Sequence, residues 1–151
     1  MKITNSIEIH SPTQVVFAWL EDPRRAKQWM TSVSKTEMIN ETPERVGTTF
    51  RETVEENGRG TELTGVITEF VPNRRLAFHL EGKYNAVDVI YTLQENGGDT
   101  RLSQTADVNF KGWLRIMGFL MAPAFKKKVL AQATSEFAAL KTLCEQRGRR
   151  E

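Results

Sequence analysis

The succession of periodicities along the chain limits its fold more than any other feature. A strand pattern and a proline-started helix come first, a run of alternating segments follows, and one long amphipathic helix closes the sequence. Ile3, Asn5, Ile7 and Ile9 share one parity and Lys2, Thr4, Ser6 and Glu8 the other, the period-two pattern of a half-buried strand. Ser11-Pro12-Thr13-Gln14 reads as a helix start, with Ser11 as the cap, Pro12 at the first helical position and Gln14 as the reciprocal partner of a capping box. That helix carries Val15, Val16, Trp19 and Leu20 and should stop near Asp22-Pro23, before a second short helical piece over 23–29. Six further strands are expected over 33–40, 47–56, 61–71, 75–81, 84–94 and 100–110. Thr42-Pro43, Asn57-Gly58, Pro72-Asn73, Gly82-Lys83 and Asn96-Gly97-Gly98 separate them, Asn57-Gly58 being a strong hairpin signal and Gly65 a candidate bulge.

From Gly112 onward the period changes. Phe125, Val129, Ala133, Phe137, Leu140 and Cys144 recur at steps of three or four and fall on one helical face, with Glu136 the one acidic residue on that stripe. This order implies a curved antiparallel sheet wrapped around a terminal helix, an α+β architecture that tends to leave a cavity between the two. No linker or repeat divides the chain, so its 151 residues are read as one domain.

Charge excludes one class of function. The net charge of +2 comes entirely from Arg147, Arg149, Arg150 and Glu151, a basic tail expected to fray, so residues 1–146 are neutral and carry no nucleic-acid footprint. A single cysteine, Cys144, rules out an internal disulfide, and two histidines and one cysteine offer no zinc spacing. No metal or cofactor is therefore expected. The first residues alternate rather than forming a long apolar stretch, and the expected location is the cytoplasm.

Strand parity sorts the candidate site residues, because the apolar parity should face the helix. Leu102, Ala106, Val108 and Phe110 bring Gln104 inward; Val87, Val89 and Leu93 bring Tyr91; Phe50 and Val54 bring Glu52 and also Glu56. Leu76, Phe78 and Leu80 point inward, which turns His79, the tempting general base, toward solvent. A carboxylate at Glu52 facing an apolar cavity would have its charged form disfavoured, the property a general acid or base near neutrality needs. The plainer alternative is that Glu52 pairs with a cation or sits at a wet rim. Tyr91 and Gln104 could orient a ligand carbonyl or satisfy each other. There is no Gly-x-Ser-x-Gly elbow, no cysteine–histidine pairing and no phosphate-cradling loop.

Residues 113–122, from Trp113 through Met117 to Met121 and Ala122, form the most hydrophobic window, with Lys126-Lys127-Lys128 close behind. The window is too short to span a bilayer. It is read first as a gate packed over the cavity mouth, and second as a segment that dips into a membrane interface. The expected ligand-lining set is Glu52, Phe78, Leu80, Tyr91 and Gln104 from the sheet, with Trp113, Met117, Met121, Phe125 and Val129 from this segment and the helix.

Ile7-Glu8-Ile9 before Ser11-Pro12 and Val15-Val16-Phe17-Ala18, Asp22-Pro23 leading to Trp29, Val46-Gly47-Thr48, the strand–Pro–Arg-Leu segment over 66–76, Thr100-Arg101-Leu102 and Leu140-Lys141 together have a familiar order and spacing. In these features the chain resembles the START-like (SRPBCC) superfamily that includes the major birch pollen allergen, and within it the bacterial polyketide cyclase/dehydrase-like proteins. The resemblance implies a helix-grip: two short helices between the first two strands, a seven-stranded antiparallel sheet, and the C-terminal helix across its concave face. Function does not follow from the fold alone. The leading expectation is binding of a hydrophobic small molecule or lipid between sheet and helix. The alternatives are a cyclase/dehydratase-like enzyme with Glu52 as its acid or base, and a protein-interaction module such as an activator of a chaperone ATPase.

Overall fold

The computed structural model describes residues 1–56 and 58–150, the side chains at 56, 59 and 147–150 left aside. Asn57, the inward placement of Glu56 and the side chains of the basic tail over 147–151 thus lie outside the described residues. The elements run β1 (Lys2–Ile9), α1 (Thr13–Glu21), a 3₁₀ helix (Pro23–Gln28), β2 (Val33–Asn40), β3 (Thr49–Glu56), β4 (Arg59–Val71), β5 (Arg75–Gly82), β6 (Asn85–Asn96), β7 (Asp99–Phe110) and α2 (Leu114–Arg150). This is the expected helix-grip, with every strand where the alternation placed it to within about two residues.

All seven strands form one antiparallel sheet in the order β1-β7-β6-β5-β4-β3-β2. The first two strands therefore sit at opposite edges, and the α1–3₁₀ connection has to cross from one edge to the other. Parity decides the faces. Ile9, Phe50, Leu76, Leu80, Val89, Tyr91, Leu93 and Leu102 are buried and join Val16, Phe17, Leu20 and Trp29 from the connection and Phe137, Leu140 and Cys144 from α2 in one core. The other parity is polar. There His79 lies between Asp88, 2.6 Å from its Nδ1, and Glu81, 3.0 Å from its Nε2, and the two hydrogen bonds hold its pKa above the ordinary value.

Three local expectations give way to tertiary structure. Ser11 does not cap α1: its hydroxyl donates to the Cys144 carbonyl oxygen at 2.9 Å, and Pro12 occupies the cap position with no side-chain bond. Gly65 is not a bulge, since it stands in regular register opposite Phe50, and a Cβ there would lie 2.3 Å from the Phe50 ring. The register shift of β4 falls instead between Ile67 and Glu69. The apolar window is not a separate segment before the long helix. Apart from Trp113, it forms the first turns of α2 itself, a helix of about 55 Å at 1.5 Å per residue.

Candidate functional site

The site begins with a cross-strand row. Tyr91 of β6 stands between Gln104 of β7 and Leu76 of β5 on the inner face, and Gln104 Nε2 donates to the Tyr91 hydroxyl at 3.3 Å. The hydroxyl therefore accepts one bond and keeps its proton for another acceptor. Burial holds the phenol well above its ordinary pKa, and the nearby carboxylates of Glu136 and Glu52 push it the same way, so Tyr91 is a donor and not a phenolate.

Three strands along the sheet, Glu52 of β3 points to the same side. It is 7% exposed and makes neither an ion pair nor a hydrogen bond among the described residues. Burial raises its carboxyl from 4.5 to about 7, with a further push from the charge of Glu136 on α2. Glu136 is itself raised by burial, an effect opposed by the backbone N–H of Thr31, which donates to its Oε2 at 2.8 Å. At neutral pH Glu52 is thus poised between acid and base.

Glu52, Tyr91 and Phe78 line a cavity of about 30 Å³, together with Phe50, Ile67 and Leu76. The opposite wall comes not from α2, as expected, but from the α1–3₁₀ connection through Trp19, Leu20, Pro23, Ala26, Trp29 and Met30, because the connection crosses the inner face of the sheet there. Asp22 accepts the Arg24 N–H at 3.0 Å and Pro23 starts the 3₁₀ helix, so the turn that positions Ala26 and Trp29 is locally encoded. The indole N–H groups of Trp19 and Trp29 are buried and have no hydrogen-bond partner among the described residues. Buried donors of this kind are costly unless something accepts from them. The cavity is thus mainly apolar, with Tyr91, Glu52, Glu21 and Asp22 as its polar lining residues and two unpartnered indole donors held in its walls.

The remaining expected lining residues are distributed elsewhere. Gln104 supports Tyr91 from behind, Leu80 is in the core, and Val129 is half-buried on α2. Met117, Met121 and Phe125 line a separate open groove of about 380 Å³ with Phe110, Leu114 and Lys128. Trp113 turns away, beside Tyr84. The residues that sequence reasoning missed are those of the connection. Asp22-Pro23 and Trp29 stand out in the sequence as markers of the fold, and that was the available signal for a wall.

Among the described residues no group of three His, Cys, Asp or Glu side chains is arranged to hold a metal ion, and no helix is long and apolar enough to cross a membrane. Curved sheet, gripped helix and interior polar cluster define a START-like helix-grip protein. A family model described as polyketide cyclase / dehydrase and lipid transport matches residues 1–145, and the chain belongs to that family. Solved structures carry the same fold at low identity. A START superfamily protein from Mycobacterium smegmatis superposes with a TM-score of 0.80 at 16% identity, covering 96% of this chain and 97% of that one. The Zhui aromatase/cyclase from Streptomyces gives 0.80 at 15% identity, covering 97% and 94%. Ara h 8.0201 gives 0.72 at 14% identity, covering 97% and 98%. No curated protein matches the chain significantly.

Proposed function

We propose that this protein binds a hydrophobic small molecule bearing a carbonyl or hydroxyl group in the cavity between the sheet and the α1–3₁₀ connection. The observation that carries this reading is a mainly apolar cavity that holds Tyr91 and Glu52 and is walled by Trp19 and Trp29, whose buried indole donors have no partner among the described residues. Such a wall recognises an apolar skeleton by area and an oxygen atom by hydrogen bonds. The family's printed description, spanning cyclase, dehydrase and lipid transport, is consistent with ligands of this kind. A cavity of about 30 Å³ has room for about two waters, so a ligand enters by displacing the connection or α2.

Native mass spectrometry of the freshly purified protein, followed by titration with an apolar fluorophore, tests the proposal. A retained small mass or saturable binding is expected, and Ala26→Leu, which fills the cavity, should weaken it while the melting temperature shows a folded protein. A folded chain with no retained mass and no saturable binding would overturn it.

The raised pKa of Glu52 favours a second reading, an acid–base enzyme acting on the same ligand. A carboxylate takes a proton α to a ketone and the resulting carboxylic acid returns one to a departing hydroxyl, and near pH 7 both forms of Glu52 are populated. Turnover of a β-hydroxy ketone with an inflection near pH 7, lost in Glu52→Gln, is the expected signature. Full turnover in that variant would remove Glu52 from the chemistry.

A further inference from the structure

We propose that the first half of α2 is a docking face for anionic lipid bilayers. The helix needs only one apolar stripe to meet the body, and residues 114–125 supply it: Gly118 and Phe125 pack against Phe110, whose ring lies 5.2 Å from that of Phe125. A second stripe runs along the opposite side. Trp113, Ile116, Phe119 and Leu120 recur at helical spacing, and they are 69%, 69%, 82% and 71% exposed. A helix apolar on both faces has two surfaces to bury. The fold of this chain covers one of them.

Charge selects the occupant of the other. Between Asp107 and Glu136 there is no acidic residue, while Lys111, Arg115, Lys126, Lys127 and Lys128 fall in that interval. Residues 1–146 are neutral as a whole, so the remainder of them carries a net charge of −5 against these five cations. Lys111 pairs with Glu81; Arg115 and the three lysines make no ion pair among the described residues. Beside the exposed stripe, a cleft of about 750 Å³ is lined by Lys2, Arg115, Lys126 and Phe119, a place where anionic headgroups meet cations next to an apolar side chain. A second copy of the chain meeting it through the same face would bring like charges together. An anionic bilayer offers the opposite sign outside and hydrocarbon within, which is what amphipathic interfacial helices recognise.

This inference is independent of whether the interior cavity is loaded, and the intact, ligand-free protein can be used. Sedimentation with phosphatidylcholine vesicles, with and without phosphatidylserine, should show binding about tenfold or more tighter to the anionic vesicles, weakened at high salt. Trp113 emission should shift to the blue on binding. Phe119→Asp and Leu120→Asp alter exposed side chains, so melting should be unchanged while vesicle binding falls about tenfold or more. Neutralising Lys126, Lys127 and Lys128 to Gln should abolish the preference for anionic vesicles. Absence of binding to either vesicle would overturn the proposal, as would undiminished binding by Phe119→Asp. A concentration-dependent dimer that Phe119→Asp dissolves would assign the face to a second copy of the chain instead.

Discussion

Between residues 131 and 146, α2 presents one apolar stripe and the body accepts it. Phe137, Leu140 and Cys144 are at most 1% exposed, and polar clasps secure the same stretch. Lys141 Nζ donates to the Glu8 carbonyl at 2.9 Å, the His10 N–H donates to Glu145 at 3.3 Å, and the Ser11 hydroxyl reaches the Cys144 carbonyl. Between 114 and 128 the residues are more hydrophobic and less covered. There Gly118 crosses closely over Phe110, Phe125 stacks edge-on, and Pro123 withdraws the backbone N–H that would have bonded the Phe119 carbonyl. The contrast teaches that hydrophobicity states how much surface seeks cover, whereas polar clasps and a facing stripe decide which surface finds it within the chain.

The sharpest way to break this contrast is to make the same truncation in both halves. Leu140→Ala should cost about 2–5 kcal/mol in urea denaturation because it opens a cavity at a fully buried site. Leu120→Ala, 71% exposed, should stay within about 0.5 kcal/mol. Equal losses would mean that the two halves are held alike.

A pH series sharpens it next, since the clasped half is what places Glu136 near Glu52. The folded-state pKa of Glu52 is raised from 4.5 to about 7, so in that window the folded protein binds more protons than the unfolded chain, and stability falls as pH rises through it. At about 1.4 kcal/mol per unit the loss is on the order of 3 kcal/mol, complete above about pH 7. Glu52→Gln should flatten that part of the curve and be the more stable protein at pH 8. A slope unchanged in the variant would place the titration elsewhere. The smallest effect concerns one clasp. Ser11→Ala should lose about 1 kcal/mol, and amide exchange should quicken at the end of α2 and not at its start.

What was legible in the sequence follows the range of the interactions involved. Period-two alternation is written into each strand by its own neighbours, so the inward set of Glu52, Tyr91 and Gln104 and the outward His79 could be read directly. Ser11 and Gly65 were misread for one shared reason. Each matches a local motif, a cap and a bulge, but is claimed by a residue distant in sequence or by a large ring on the next strand: Cys144 for Ser11 and Phe50 for Gly65. The Ala26 and Trp29 part of the wall was not legible as a wall because a 3₁₀ turn advances three residues at a time and carries neither the helical nor the strand period, whereas Trp19 was legible on α1 but not the strands it would face. The cavity between Trp29 and Glu52 exists only once the connection has crossed the sheet.

Cys144 offers a clock. It is the chain's one thiol, fully enclosed on the inner face of α2, and burial pushes its pKa up to about 12, so a thiol reagent finds almost no thiolate while the helix is seated. Modification can proceed only in the moments when the clasped half lifts. The labelling rate of an unaltered protein therefore times the opening of its own core, and a ligand that holds the helix down would slow that clock in proportion to its occupancy.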